Sequence, residues 1–404
     1  PVLRFPAHSL PGLLVHTARR VPQRTFLRFF DPQAPVAPPR EVSFGGLRDL
    51  VARAAAFLEA AGVRSGDRVL LLAENSPEWQ AVALATQLLR AEPTALFASL
   101  AAGPVAELAR RVRPRALLVS TVEQWQKLAP AAADLGREGL AAVLSLEALP
   151  VDALPPGVRG ATLAAALGEG APGLVLTDLE ARAAAVGEED PFLLLFTSGT
   201  TGRQKGVRLA QRSIVHAIEA GAIATGVVEE DLGLHLLPFG HVAGHDQFAL
   251  ALAQGHTLAM IVRREDIARA LALQPTYLFA VPLIFERVRN QALEKLGRLP
   301  GPLRALGTAA LEAAARVRAD GSDRAGDRLL TWLADALVGR KVRAGLGGRV
   351  RGLFAGGAPS SAALFRFFEG LGIPLVELYG MTEVAGMISS NLVDGARRPL
   401  VAGL

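Results

Sequence analysis

Short apolar runs alternate with amphipathic segments along the first part of the chain. Each run has the length of a strand, and each amphipathic segment has the apolar spacing of a helix. The predicted strands lie at 67–73, 93–99, 115–120 and 141–146, and the predicted helices at 43–62, from 76 onward, at 103–112 and at 121–134. Buried strands that alternate with helices indicate a parallel sheet covered on both faces.

The same alternation resumes after residue 190 and predicts a second lobe. Further strands are predicted at 232–239, 257–262, 275–282, 349–357 and 374–380. Residues 148–190 are rich in Ala, Gly and Pro and are predicted to form a connection with one helix near 178–187. The predicted fold class is therefore α/β, with two layered lobes of mostly parallel sheets covered by helices. Lobe A is predicted at 45–212 and lobe B at 1–44 plus 213–395, with a helical insertion at 286–348.

Composition narrows the classes of function. Half of the residues are apolar, so a large core can be buried, and the absence of cysteine excludes disulfides, zinc–thiolate sites and a cysteine nucleophile. The formal charge of +5 comes from basic residues spread along the chain, so we do not expect nucleic acid as a partner. No apolar stretch reaches the roughly 18 residues of a membrane span, and the N-terminal residues lack the layout of a signal peptide. The sequence thus predicts a soluble cytoplasmic protein, with peripheral contact to an anionic membrane as a further expectation.

A loop of hydroxyl-bearing residues and glycines follows the apolar run that ends at Phe196. Its sequence, TSGTTGRQKG at 197–206, is predicted to lie between that strand and a helix that begins near Ala210. Glycine lets backbone N–H groups approach phosphate oxygens closely, and Lys205 adds a positive charge. The Walker pattern does not match, because Lys205 is followed by Gly206 rather than by Ser or Thr. An ordinary glycine-rich connection is the alternative interpretation.

Four separated segments together resemble the adenylate-forming (AMP-binding) superfamily. TSGTTGRQKGV resembles its signature loop, with Gln204 where the family commonly has Pro. LGLHLLPFGHVAG (232–244), GLFAGGAPSS (352–361) and LYGMTE (378–383) resemble three further motifs in the family's order. PTYLFAVPLIFERV (275–288) and the helical stretch after it resemble the long-chain fatty acyl-CoA synthetase branch.

The resemblance implies an acid–thiol ligase that activates a fatty acid with ATP and Mg²⁺ and transfers the acyl group from acyl-AMP to coenzyme A. The cofactor-binding residues that it implies are Thr197, Ser198, Gly199, Thr200, Thr201, Gly202, Gly356, Gly357, Ala358, Pro359, Tyr379 and Gly380. The catalytic residues that it implies are Lys205, His241, Thr382 and Glu383. Thr382 would contact the α-phosphate, Glu383 would hold Mg²⁺, and Tyr379 would stack on the adenine. His241 would border the acyl and pyrophosphate side.

Each of these residues also has an ordinary structural interpretation. Thr382 and Glu383 suit the first turn of a helix, and a tyrosine at a strand end is commonly part of a core. His241 and His245 have the spacing of a metal pair but lack the glutamate of the zinc motif, so a metal there is disfavoured, and His245 has no implied role. Six residues are candidates for an apolar tunnel wall, with ordinary core as the alternative: Val242, Ala243, Gly244, Val281, Leu283 and Ile284.

The family's Thr-Gly-Asp motif, its hinge and the catalytic lysine of its smaller C-terminal lid domain have no match in these residues. We therefore expect residues 1–404 to be the large N-terminal adenylation domain of such an enzyme, and to form adenylate poorly alone. Two alternatives stay open. One is a ligase that loads a carrier protein instead of coenzyme A, and the other is a non-catalytic acyl- or nucleotide-binding protein.

Overall fold

The computed structural model describes residues 3–32, 34, 36–198, 204–318, 321 and 324–392. The chain forms two compact units. The first takes in the described residues within Pro1–Glu219, Leu237–Gly255 and Thr382–Gly386. The second takes in those within Ala220–Leu236, His256–Met381 and Met387–Leu404.

Helices and strands alternate along both units. The elements up to residue 225 are α1 Leu10–Arg20, β1 Thr25–Phe29, β2 Arg40–Ser43, α2 Phe44–Ala60, β3 Arg68–Leu72, α3 Pro77–Leu88, β4 Glu92–Ala95, α4 Ala102–Val112, β5 Ala116–Val119, α5 Val122–Arg137, β6 Ala142–Ser145, β7 Arg159–Thr162, α6 Leu163–Leu167, α7 Leu176–Ala185, β8 Pro191–Ser198, β9 Gln204–Ala210 and α8 Gln211–Thr225. The later elements are β10 Leu232–His235, α9 Val242–Gln254, β11 Thr257–Met260, α10 Ile267–Leu271, β12 Tyr277–Ala280, α11 Pro282–Gly297, α12 Gly301–Arg318, α13 Ala325–Ala334, α14 Arg340–Gly345, β13 Gly352–Gly356, α15 Ala362–Gly370, β14 Leu375–Met381 and β15 Gly386–Ser390.

The first unit is built on a sheet in the order β7-β6-β5-β3-β4-β8-β9. The pairs from β7 to β8 are parallel, and β8 and β9 form an antiparallel edge. Hydroxyl side chains start its helices, because Ser43, Ser76 and Thr121 each accept a backbone N–H of the following helical turn. Leu117 and Trp125 belong to the core between this sheet and its helices.

The second unit has strands in the order β15-β14-β13-β12-β10-β11. The pairs that join β11, β10, β12, β13 and β14 are parallel. Between β12 and β13 the chain forms only helices in its described part, including a π-helical turn at Asp335–Gly339 between α13 and α14. The α/β class with mostly parallel, helix-covered sheets is confirmed.

Several elements differ from the sequence-based expectation. The helix expected near Ala210 begins at Gln211, and the residues before it form β9. Residues 148–190 contain β7 and α6 in addition to the expected helix. The described part of residues 1–44 clusters with the first unit, where α1 packs against α2, α3, α7 and α9, and the predicted lobe bounds stay a prediction.

In the part of the chain that the structure describes, every helix is too short or too polar to cross a lipid bilayer.

Candidate active site

An antiparallel hairpin flanks the glycine-rich loop. β8 and β9 pair with Thr197 opposite Lys205 and Ser198 opposite Gln204. The predicted phosphate-binding residues Gly199, Thr200, Thr201 and Gly202 lie outside the described residues. The expected helix begins at Gln211, and the strand β9, which was not predicted, lies between the loop and this helix. Lys205 is therefore held at the start of a strand, with its side chain exposed.

Two polar contacts fix this hairpin to the rest of the first unit. The buried carboxylate of Glu92 accepts from Arg208 of β9 at 2.6 Å and from Arg68 at 3.1 Å. On the other side, Arg111 of α4 donates to the carbonyl of Gln204 at 2.9 Å and lies over the ring of Phe196 at 5.6 Å. Sequence reasoning did not find Arg111, because no motif surrounds it.

The turn Thr382–Val384 packs against β9 within the first unit. This contact brings Thr382 and Glu383 to the element that carries Lys205. Thr382 is half-buried and Glu383 is exposed, and the described residues give Glu383 no hydrogen bond or ion pair. Thr382 also begins a 3₁₀ turn, as the alternative interpretation expected.

Glu383 lines a polar cleft of about 810 Å³ in the first unit. The other residues around it are Arg4, Phe5, His8, Glu188, Arg212, Ser213, Val215, His216, Glu219 and Val384. Among the described residues, no group of three or more histidine, aspartate or glutamate side chains is placed to hold a metal. The free carboxylate of Glu383 nevertheless fits Mg²⁺, which takes one or two protein carboxylates beside water and phosphate oxygens.

His241 and His245 have different environments at the start of α9. The Nδ1 atom of His241 accepts the N–H of Ala243 at 3.2 Å and so caps the helix. Surrounding protein removes water from the imidazole and lowers the pKa of His241 below its ordinary value. His245 is buried, with Nε2 2.8 Å from the carbonyl oxygen of Phe239 and its ring beside Trp79. The disfavoured metal pair has no support in this geometry.

Asn75 holds the segment that leads into His241. Its amide nitrogen donates to the carbonyl of Leu237 at 2.9 Å, and its amide oxygen accepts the N–H of Phe239 at 2.9 Å. Both bonds go to backbone more than 160 residues away. Asn75 belongs to the segment ENSPEW, and its positioning role was not predicted.

A buried carboxyl group lies behind the Thr382–Val384 turn. Asp246 of α9 sits against Gly386, where an added Cβ would lie 1.9 Å from Oδ2. Its Oδ1 is buried without a hydrogen-bond partner among the described residues. Burial raises the pKa of Asp246 well above its ordinary value, so the acid is favoured in its neutral form.

The remaining motif residues lie at two adjacent strand ends of the second unit. Gly356 ends β13 and pairs with Leu378 of β14, next to Tyr379. Gly357 has φ +81°, a left-handed conformation that favours glycine, and Ala358 and Pro359 follow it on the surface. The Tyr379 side chain is 56% exposed, which contradicts the alternative that it is part of a core. Gly380 follows it and is also exposed.

Three side-chain hydrogen bonds support this strand end, and the one made by Glu377 is buried. The side chain of Glu377 accepts the N–H of Ser360 at 3.0 Å. Ser361 caps α15 by accepting the N–H of Leu364 at 3.1 Å, and donates to Glu286 at 2.6 Å. The turn after Gly357 is therefore fixed on both sides.

The candidate tunnel-wall residues have mixed environments. Val242 and Gly244 are buried in the first turn of α9, and an added Cβ at Gly244 would lie 2.6 Å from the carbonyl oxygen of Pro238. Leu283 at the start of α11 is 60% exposed. The ordinary-core alternative thus fits Val242 and does not fit Leu283.

Comparison with known proteins gives a consistent family. A family model described as AMP-binding enzyme matches residues 14–403. The long-chain-fatty-acid–CoA ligase FadD15 of Mycobacterium tuberculosis is 37% identical over 223 residues, which is 52% of this chain and 36% of that protein. Long chain acyl-CoA synthetase 8 of Arabidopsis thaliana is 34% identical over 220 residues, or 50% of this chain and 30% of that protein. The matched stretch thus spans about a third of these curated relatives.

Solved structures share the fold. A long-chain-fatty-acid-CoA ligase, FadD1 of Archaeoglobus fulgidus, gives a TM-score of 0.69 at 18% identity, covering 100% of this chain and 70% of that one. The inhibitor-bound N-terminal domain of FACL13 from Mycobacterium tuberculosis gives 0.65 at 21% identity, covering 98% and 81%.

Proposed function

The chain belongs to the AMP-binding enzyme family, and on that premise we propose that it activates a fatty acid with ATP and passes it to coenzyme A. The first step joins the carboxylate to the α-phosphorus of ATP and releases pyrophosphate. In the second step, the thiol of coenzyme A displaces AMP from the acyl-AMP. The long-chain ligases among its relatives support the choice of acid.

The observation that carries the proposal is the packing of the Thr382–Val384 turn against β9. It puts an exposed cation, a hydroxyl and an exposed carboxylate, those of Lys205, Thr382 and Glu383, on neighbouring elements. The reaction brings one anion onto another, so the protein must neutralise and align the reactants rather than supply a strong base.

Each of these residues has a proposed role at the phosphates. Lys205 neutralises phosphate charge, and the hydroxyl of Thr382 donates to an α-phosphate oxygen. Glu383 holds Mg²⁺, which when bound neutralises phosphate charge and orients the oxygens. The roles of Thr197, Ser198 and residues 199–202 as phosphate ligands rest on the sequence motif.

The base side is proposed to lie at the ends of β13 and β14. The exposed ring of Tyr379 offers a face for stacking on adenine. The small residues Gly356, Gly357 and Ala358, with Pro359 and Gly380, leave room beside a flat ring.

His241 is proposed to act as a neutral hydrogen-bond donor on the acyl and pyrophosphate side. Because Nδ1 accepts the N–H of Ala243, the proton of the neutral ring is on Nε2. The lowered pKa favours this neutral ring at pH 7. It can donate to a carboxylate or phosphate oxygen without adding charge.

Two measurements on the 404-residue chain test the proposal: equilibrium binding of Mg·ATP, and ATP–pyrophosphate exchange that depends on added fatty acid. We expect Lys205→Gln to weaken ATP binding and exchange by at least about tenfold, since it removes a charge-assisted contact. Lys127→Gln, on α5, is the matched control and should leave both unchanged. Absence of Mg·ATP binding by the unchanged chain would overturn the proposal, whereas slow exchange with intact ATP binding agrees with the poor adenylate formation expected of residues 1–404.

The acceptor is tested separately by supplying preformed acyl-AMP with coenzyme A or with an acyl carrier protein. Thioester formation with coenzyme A is expected. Formation with the carrier protein alone would replace this part of the proposal.

A further inference from the structure

The helical region between β12 and β13 borders a half-open, mostly apolar cavity of about 280 Å³, which we term the insertion cavity. Its wall is formed by α11, the end of α10, the π-helical turn and α14. The lining residues are Leu271, Val288, Gln291, Ala292, Lys295, Leu296, Leu299, Leu337, Val338, Lys341, Val342, Gly345 and Leu346. None of the residues proposed for the adenylation chemistry is among them.

Two of the four lysines in the chain line this cavity. Lys295 and Lys341 are exposed, and within the described residues neither has a hydrogen bond or an ion pair. An ammonium at the edge of an apolar cavity can keep its stem on the apolar wall and its charge in water. Two unpaired ammonium groups beside apolar side chains suit a ligand with an anionic end and an apolar body.

The π-helical turn at Asp335–Gly339 shapes one side of the cavity. π-helical turns are rare in proteins, and those that occur often lie at functional sites. Leu337 and Val338 of this turn lie in the cavity wall. Gly339 is needed there, because an added Cβ would lie 2.6 Å from Oδ1 of Asp335. Asp335 pairs with Arg343, so this wall is held by a contact that leaves Lys341 free.

We propose that the insertion cavity binds one free fatty acid, with its carboxylate between Lys295 and Lys341 and its chain among the apolar side chains. Charge-assisted bonds to two ammonium groups would fix the carboxylate. The volume lies just below the range of about 300–1,000 Å³ for ligand pockets, which favours one chain over a two-chain lipid. This binding requires neither ATP nor the proposed reaction.

The test is the number of fatty acids that the 404-residue chain binds without ATP, measured by titration with a fluorescent long-chain fatty acid that keeps its free carboxylate. We expect two per unchanged chain, one at the insertion cavity and one at the activation site. Lys295→Gln/Lys341→Gln should weaken one of them by about tenfold, as expected for two partly exposed charged contacts. The methyl ester should bind the cavity as weakly as the double variant binds the acid.

Lys127→Gln is the matched lysine control and should still bind two. Ala292→Phe, which fills the cavity and keeps both lysines, should bind one. Equal stoichiometry and affinity in the unchanged chain and the double variant would overturn the proposal. The proposal would also be overturned if the double variant lost binding to anionic phospholipid vesicles but bound the free acid as the unchanged chain does. If the activation site binds no acid, the unchanged chain will bind one acid and the double variant will bind it about tenfold more weakly, which separates the two proposals.

Discussion

The exposed motif residues differ from several buried polar residues in how their polar atoms are used. Lys205, Tyr379 and Glu383 point charge or an aromatic face into solvent. His256, by contrast, is fully buried in the second unit, with Nε2 2.8 Å from the hydroxyl of Tyr277.

A second group of buried side chains also has polar partners within the fold. Asp231 accepts from the hydroxyl of Thr276 at 2.6 Å and pairs with Arg351. These contacts lower the pKa of Asp231 although burial opposes the shift. Among the described residues, Lys205 and Glu383 are exposed without a hydrogen bond or ion pair, whereas the buried Asp231 is paired. Substitutions of the exposed motif residues should therefore change the reaction rate, whereas substitutions of the buried polar residues should change the stability of the fold.

The largest expected effect is on rate. Glu383→Gln should lower ATP–pyrophosphate exchange by about a hundredfold, because it removes the carboxylate proposed to hold Mg²⁺ at the phosphates. The free energy of unfolding should change by less than about 0.5 kcal/mol, since the side chain is exposed. Glu312→Gln, an exposed glutamate on α12, is the control for both measurements. A large loss of stability in Glu383→Gln would show that this exposed residue also supports the fold, which would contradict the comparison.

The second effect is on stability and depends on pH. Burial lowers the pKa of His256 from 6.5 to about 3, so the folded chain keeps this ring neutral while the unfolded chain protonates it below about 6.5. The stability tied to the neutral ring is thus complete above pH 6.5 and lost as the pH falls toward 3. Between pH 6 and 4 this group alone should cost about 1.4 kcal/mol per pH unit.

Chemical denaturation at several pH values measures this slope. His256→Gln should flatten it, whereas His16→Gln, an exposed histidine of α1, should keep it. Equal slopes in all three proteins would assign the acid sensitivity to other groups.

The third effect is on stability at Gly386, which follows the Thr382–Val384 turn and lies against Asp246. Gly386→Ala should destabilise the fold by about 1–3 kcal/mol, because its Cβ would overlap Asp246 and its φ of +127° strains any other residue. Thermal unfolding measures the loss. Adding Asp246→Ala should recover the steric part, and a double variant no more stable than Gly386→Ala would show that backbone strain alone is responsible.

The smallest effect is at a helix cap in the second unit. Ser361→Ala should lower the free energy of unfolding by about 1 kcal/mol, since α15 loses its cap and Glu286 loses a donor. Ser361→Thr keeps the hydroxyl and should be nearly neutral. An alanine variant as stable as the unchanged chain would mean that water replaces the cap.

Much of the parallel core was predictable because its strands are continuous apolar runs between capped helices. β3, β5 and β6 are short apolar segments. The helices between them are marked either by a preceding Ser or Thr or by an apolar face. β9 was missed because QKGVRLA contains a glycine and is mostly exposed, so it lacks the alternation that marks a half-buried strand. β7 was missed for a related reason, since RGAT is short, small and exposed.

The candidate site was predictable only where residues sit in motifs. Lys205, Thr382 and Tyr379 lie in recognisable sequence segments, and the structure puts the first two on neighbouring elements. Arg111 and Asn75 were missed because they act on backbone atoms distant in sequence. A hydrogen bond to a carbonyl leaves no pattern in the partner's side chain.

The antiparallel hairpin has a consequence for insertions and deletions. Side chains along a strand alternate between its two faces, so removing Val207 while Arg208 stays anchored on Glu92 would turn Lys205 to the opposite face. Such a deletion would remove the proposed role of Lys205 without substituting the residue itself. Natural length variation is therefore not expected within β9.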